Sequence, residues 1–259
     1  MTALRTILMT GASSGLGAGL ARSYAGAGVR LLLCGRDEAR LDAVARDCRA
    51  QGSDVVTGRF DIAEAAPFAE WLLAQDAATP IDIAFAAAGV SAGTPQAGGP
   101  EGLDLATMQV RTNLLGTMNT IEPLLPRMIA RRAGQVVVIS SSAGLRGLPF
   151  SPAYSASKAG VRAYGEALRA LLAPAGIAVT VVVPGFFDTP MTDRWQGPTP
   201  FMVSLDRMVA VVRRGVEARR SRVVYPRLLA LGQQAADLMP AMIGDRIVRG
   251  FRFHIVAGR

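Results

Sequence analysis

The sequence predicts a doubly wound α/β protein: a parallel sheet of about seven strands, helices on both faces and a short helical extension at the C-terminus. Three observations predict it. Short apolar runs alternate with longer helical stretches through most of the 259 residues. The runs are predominantly apolar, as strands covered on both faces are. The first run leads directly into a glycine-rich turn, Thr10-Gly11-Ala12-Ser13-Ser14-Gly15-Leu16-Gly17, that opens a helix. Strand, turn and helix in that order form the first unit of such a sheet.

The elements follow in sequence. Residues 7–9 are the first strand, and 15–27 the helix that the glycine turn opens. Residues 30–34 and 55–56 are the next strands, each followed by a helical segment, 37–51 and 64–76. Residues 81–86 form a fourth apolar run. A Gly/Pro-rich surface loop from Ser91 to Gly102 separates it from a long helix at 102–131. Runs at 135–139 and 178–183 flank a helix at 154–173, and 223–224 closes the sheet after a helix at 205–219. Residues 1–225 thus read as one catalytic domain. Beyond Tyr225-Pro226 the alternation stops, and 226–259 reads as one or two amphipathic helices extending that domain.

The glycine turn has a chemical reading. Glycine allows a tight turn and a close backbone approach, and a helix N-terminus offers unpaired N–H groups to a phosphate. Gly11, Ser13, Ser14, Gly15, Leu16 and Gly17 are therefore the candidate cradle of a dinucleotide. The second strand ends Gly35-Arg36-Asp37. An NAD site places a carboxylate at this strand end for the ribose 2′-hydroxyl. Gly35 has none, and the Arg36 guanidinium suits a 2′-phosphate. NADP is the expected cofactor and NAD the alternative, with Asp37 able to serve the ribose or Arg36 simply exposed.

A second signal is Tyr154-Ser155-Ala156-Ser157-Lys158. Lys158 is the only lysine, and the other 27 basic residues are arginine. A chain so biased keeps an ammonium where a compact, titratable charge is required. Residues four apart share a helix face, so the phenol and the ammonium address one site. A nearby cation is expected to lower a phenol pKa of about 10.

Composition excludes several classes. The formal charge of +8 rests on scattered arginines without a basic block or a nucleic-acid motif, so no nucleic-acid partner is expected. Cys34 and Cys48 have no metal spacing, and a single histidine, His254, rules out a site built on several. No metal is expected. The first residues do not read as a signal peptide and no run reaches membrane-spanning length, so the expected location is cytoplasmic.

With both motifs placed, residues 5–192 resemble the short-chain dehydrogenase/reductase family, which implies a Rossmann-type sheet. The resemblance implies a tetrad. Ser141, thirteen residues before Tyr154 in Ser140-Ser141-Ser142, matches the family's serine, and Asn113 in Thr112-Asn113-Leu114 matches its asparagine. It also implies that Asp61 and Ile62 meet the adenine and that Ala88-Gly89 lies along the adenosine. Pro184-Gly185 would lie beneath the nicotinamide, with Phe187 and Thr189 at the carboxamide. The family's NNAG reads Ala86-Ala87-Ala88-Gly89 here, so both asparagine side chains that brace the central sheet are gone.

The implied chemistry is hydride transfer between NADPH and a carbonyl, or the reverse from an alcohol. Tyr154 would be the acid/base, Lys158 would hold the ribose and lower the phenol pKa, and Ser141 would position the substrate oxygen. Asn113 would hold a water leading to solvent. The pocket is expected along Ser91 to Thr94, Leu145 to Phe150, Phe186 and Asp188 to Leu205. Arg146, Arg194 and Trp195 in these segments are either receivers of an anionic or carrier-linked substrate or, the favoured reading, solvated loop arginines and a lid tryptophan. A non-catalytic NADP-binding regulator or scaffold is the competing reading, and family members of that kind lack the tyrosine or the lysine. The tail carries Leu228, Leu229, Leu231, Leu238, Met239, Met242 and Ile243 with Arg246, Arg249 and Arg252. It reads as a contact with a second subunit or, less favoured, as a peripheral membrane helix of an enzyme acting on a lipid or carrier-linked substrate. The family implies a homodimer or homotetramer through the helices that begin near 102 and 154.

Overall fold

Seven parallel strands form the sheet, and their chain order explains where the cleft lies. β1 (Arg5–Thr10) pairs with β2 (Val29–Gly35), which pairs with β3 (Asp54–Arg59) at one edge. On its other side β1 pairs with β4 (Ile83–Ala86), followed by β5 (Gln135–Ile139), β6 (Ala178–Pro184) and, after a short β7 (Trp195–Gln196) outside the sheet, β8 (Arg222–Tyr225). The spatial order is β3-β2-β1-β4-β5-β6-β8. The order reverses between β1 and β4, and the carboxyl ends of strands part there to leave a crevice. This computed structural model describes residues 4–95, 99–237, 239–250 and 252–256.

Alternate residues of each strand enter opposite cores, which is why the runs are mostly apolar on both faces. Ile7, Met9, Leu31, Leu33, Phe85 and Val137 face one side. There they meet α1 (Gly15–Tyr24), α2 (Glu38–Ala50) and α8 (Leu205–Glu217) through Leu20, Leu41, Met208 and Val212. Leu8, Leu32, Ala84, Val136, Val138 and Val181 face the other side. Their partners are α3 (Ala65–Ala78), α5 (Gly116–Ile121), α6 (Leu125–Arg131) and α7 (Pro152–Leu172), while α4 (Leu103–Val110) packs outside them against α7.

Three expectations need correction. The helix expected at 102–131 is not uniform. A π-turn at Arg111–Leu115 separates α4 from α5, and a 3₁₀ turn at Glu122–Leu124 separates α5 from α6. Pro123 and Pro126 lack the N–H that an unbroken helix needs there. The fourth strand begins at Ile83, because the N–H of Ile81 is taken by the Asp76 carboxylate at 2.8 Å. The C-terminal extension is not only helical. After α9 (Arg227–Asp237) and α10 (Ala241–Gly250), the chain returns as β9 (His254–Ile255) and pairs antiparallel with β7. A two-residue strand has no periodicity to read. Leu238, counted with the apolar tail residues, lies outside the described residues, as do 96–98 of the surface loop.

Among the described residues, no helix is long and apolar enough to cross a membrane. Leu103 and Leu171 are exposed on α4 and α7, at 81% and 70%. Leu228, Leu231, Met242 and Ile243 are exposed on the extension.

Candidate active site

The carboxyl ends of β1, β2, β4, β5 and β6 open on one cleft of about 310 Å³. Every residue singled out above for cofactor or catalysis lines it except Asn113, which is fully buried one layer behind.

The cradle is built by glycines. Gly11 has φ +66°, and a Cβ on Gly17 would stand 2.3 Å from the Gly11 carbonyl oxygen. No other residue allows the turn and the helix to approach so closely. Ser14, the N-cap of α1, makes no side-chain capping bond, so the first N–H groups of the helix are left for an anion. The Thr10 hydroxyl accepts from the N–H groups of Ala87 and Ala88, at 3.1 and 3.3 Å, and donates to the Phe85 carbonyl. This ties the end of β1 to the segment that lacks the two asparagines, a brace the sequence reading did not anticipate.

At the end of β2, Asp37 is committed to the backbone. Its carboxylate caps α2 by accepting from Arg40 N at 2.9 Å and from Arg40 Nε at 2.7 Å. These hydrogen bonds, the backbone one first, hold its carboxyl below the usual range. Arg36, 58% exposed, lies 3.7 Å from Asp61 and lines the cleft beside Gly35 and Arg40. A Cβ on Gly35 would lie 3.1 Å from the Ser13 side chain, so the strand end has little room for a carboxylate.

The catalytic candidates come from three elements. Ser141 follows β5 in extended backbone and starts a 3₁₀ turn, Ser142–Gly144. A Cβ on Gly144 would meet the Lys158 backbone at 2.7 Å, so glycine there lets this turn lie directly on α7. Tyr154 and Lys158 stand one turn apart on α7, whose first residue is Pro152. Burial pushes the Tyr154 phenol up, and a hydrogen bond with Ser141 pulls it down. The expected lowering by Lys158 is not what dominates. The ammonium lies 5.9 Å from the centre of the Tyr154 ring and donates to the Ile139 carbonyl at 2.9 Å. Burial itself brings Lys158 down to about 8. An ammonium has three donors, so bonding to Ile139 leaves capacity for a ribose.

Asn113 sits inside the π-turn, a distortion that often marks functional positions. Its Oδ1 accepts from Val90 N at 2.8 Å, and its Nδ2 donates to Val90 O and to Ser157 Oγ, both at 3.0 Å. The side chain therefore clamps the loop after β4 to α7, and both amide hydrogens are used. Asn113→Ala would orphan the buried Val90 groups and should cost about 1–3 kcal/mol of stability, measurable by chemical denaturation.

On the remaining side the cleft is walled by Leu148, Phe186, Met191, Trp195 and Ile255. Ile255 was missed by the sequence reading, because nothing in a tail otherwise helical places it in the cleft that Tyr154, 101 residues earlier, also lines. Arg146 and Arg194 do not line the cleft. Arg146 pairs with Asp245 of α10 at 2.8 Å, and Arg194 donates to the Ser91 carbonyl at 2.9 Å.

Known proteins resemble the chain in sequence and fold. The short chain dehydrogenase family profile matches residues 5–198. An uncharacterized oxidoreductase of Myxococcus xanthus is 36% identical over 253 residues, 96% of this chain and 98% of the relative. A ketoacyl reductase of Nostoc sp. is 32% identical over 264 residues, 95% of this chain and 89% of the relative. The structure of a short-chain dehydrogenase from Sphingobium yanoikuyae in complex with NADPH is 26% identical, with a TM-score of 0.78, over 96% of this chain and 97% of that one.

Proposed function

We propose that the chain, which belongs to the short-chain dehydrogenase/reductase family, is an NADPH-dependent ketoreductase with Tyr154 as its proton donor. The observations behind the reading are the cleft that Ser141, Tyr154 and Lys158 line together and the burial that raises the Tyr154 phenol above its ordinary value. A phenol so placed is protonated at neutral pH, the form that a carbonyl oxygen needs as it gains charge. The ketoacyl reductase among the relatives agrees with this direction.

Bound NADPH supplies the hydride for the carbonyl carbon, and the protein supplies orientation and the proton. The Gly11–Gly17 turn and the uncapped start of α1 receive the pyrophosphate. Asp61 and Ile62 flank the adenine, with Ala88 and Gly89 beside the adenosine. Pro184, Gly185, Phe187 and Thr189 lie at the nicotinamide end. Ser141 bonds the substrate oxygen and holds it toward the Tyr154 hydroxyl, which gives up its proton. Lys158 holds the ribose and keeps a positive charge near the tyrosinate that forms, and Asn113 fixes the loop against which that lysine packs. A panel of ketones followed by NADPH absorbance tests the reading. Absence of turnover with every ketone class would overturn it.

The cofactor preference rests on Arg36, with Asp37 spent as a cap. A charge-assisted bond to the 2′-phosphate is worth roughly 1.5–3 kcal/mol. Arg36→Ala should therefore weaken NADPH about ten- to a hundredfold and leave NADH almost unchanged, measured by fluorescence titration of both. Equal affinities in the unmodified protein would show that Arg36 points to solvent.

Assembly into a homodimer or homotetramer rests on the apolar residues exposed on α4 and α7. Sedimentation of Leu103→Glu against the unmodified chain tests it.

A further inference from the structure

Deepening the ketoreductase reading and resting on it, we infer that the C-terminal strand β9 is the specificity-determining wall of the substrate pocket. The pocket so closed takes a ketone whose larger substituent is bulky, apolar and uncharged.

The wall is assembled from three distant stretches. β9 pairs with β7 so that Ile255 stands opposite Trp195 and His254 opposite Gln196. Val256 N donates to Arg194 O at 2.9 Å, which extends the pairing by one more bond. Phe253 stacks on Trp195 with ring centres 3.8 Å apart and planes at 16°. Trp195 in turn meets Phe186 edge-on at 5.0 Å, and Phe253 meets Phe150 edge-on at 5.5 Å. Ile255 and Phe253 are 7% and 9% exposed, the burial of core residues at the end of a chain. Ile255 enters the cleft, and its Cδ1 would lie 3.4 Å from a Cβ on Gly93.

This packing fixes what surrounds a substrate held at Tyr154. Trp195 belongs to a loop of little regular structure between β6 and α8 and would be free to swing without a backing. β9 provides the backing, and Arg194 ties the same loop to Ser91 on the opposite rim. The tail that brings β9 there is anchored as well, through Asp245 of α10 and Arg146. The extension 226–259 is thereby read as part of the catalytic unit. Pocket size at the substrate end is set by a residue five positions from α10, not by the long loop alone.

The chemistry of the wall selects the substrate. Leu148, Phe186, Met191, Trp195 and Ile255 present carbon and one indole, whose N–H donates to the Pro198 carbonyl at 3.3 Å. The cations that line the cleft, Arg36, Arg40 and Lys158, stand at the two ends of the dinucleotide site. Arg146 and Arg194 are turned to Asp245 and Ser91. A carboxylate or phosphate on the substrate would be desolvated against this wall without a partner, which is costly.

The test compares kcat/KM for two ketones, one with small substituents and one with a bulky aromatic substituent, in the NADPH-loaded enzyme. Hydrophobic pocket contacts of one methylene discriminate about 10- to 200-fold. Ile255→Trp should lower the bulky-to-small ratio about tenfold or more, and Ile255→Ala should raise the ratio for a ketone one ring larger. The NADPH dissociation constant should stay near that of the unmodified protein, and because Ile255 is buried both variants should melt lower, so the ratios are compared at a temperature where circular dichroism shows both folded. A ratio unmoved in both variants overturns the role of β9. A third ketone, the bulky one carrying a carboxylate, should be reduced at least tenfold less efficiently, and equal or better use of it overturns the substrate class. If no ketone is reduced by the unmodified enzyme, the ketoreductase reading fails first and the inference falls with it.

Discussion

Tyr154→Phe is expected to lower kcat for ketone reduction by about 10²–10⁴-fold, the contribution of a positioned general acid, and to leave NADPH affinity nearly unchanged. The argument is local. Phenylalanine keeps the ring that packs on α7 and removes one hydroxyl. That hydroxyl lines the cleft with Ser141 and is held neutral by burial, with Ser141 pulling the other way, so it is the proton donor for an oxygen positioned by Ser141. The reverse reaction supplies a second reading. Oxidation of the alcohol needs the phenolate, so its rate should rise with pH in the unmodified enzyme, because burial keeps the phenol protonated at neutral pH. Tyr154→Phe should lose that dependence together with the rate. Turnover at the unmodified level, with a normal melting temperature, would remove Tyr154 from the mechanism. Ser141→Ala is a useful companion, since it takes away the hydrogen bond that lowers the phenol and should move the alkaline rise to higher pH.

The parts of this molecule that were legible in its sequence are those governed by local rules. All seven strands of the sheet, and helices α1 to α3, α7 and α8, emerge within a few residues of their expected positions, because strands buried on both faces are apolar along most of their length. The glycine turn was legible for the same reason, since a Cβ at Gly17 has nowhere to go. What failed was set by distant partners. The π-turn that carries Asn113 has no pattern of its own and is held by Val90 and Ser157. β9 exists only because Trp195 and the segment after β6 offer it an edge and a ring to pack on. Electrostatics misled in one place. Four residues of helical spacing implied that Lys158 would control the Tyr154 phenol, whereas burial outweighs it and the ammonium turns to Ile139.

That buried ammonium leads to the second large effect. Lys158→Arg conserves charge and is expected to lower kcat at least about 100-fold, the scale of a misplaced catalytic contact, and to weaken NADPH as well. Lys158 is 5% exposed, and its Nζ would lie 3.3 Å from a Cβ on Gly89. A planar guanidinium is wider and carries five donors in a fixed fork, where the ammonium now fits and donates to the Ile139 carbonyl. It must displace Gly89 or withdraw from the ribose. Stability isolates the electrostatic part from this steric one. Burial brings Lys158 to about 8, against about 10.4 in an unfolded chain. Between these values the unfolded chain binds more protons, so stability rises with pH there, and below pH 8 the buried charge carries its full cost. Lys158→Met removes the charge and keeps the length. Its stability relative to the unmodified protein should fall by about 2–3 kcal/mol as the pH rises from 8 to 10.4, read from urea unfolding without added cofactor. A pH-independent difference would show that the amine is solvated in the folded protein, and the chemistry assigned to it would then need another source.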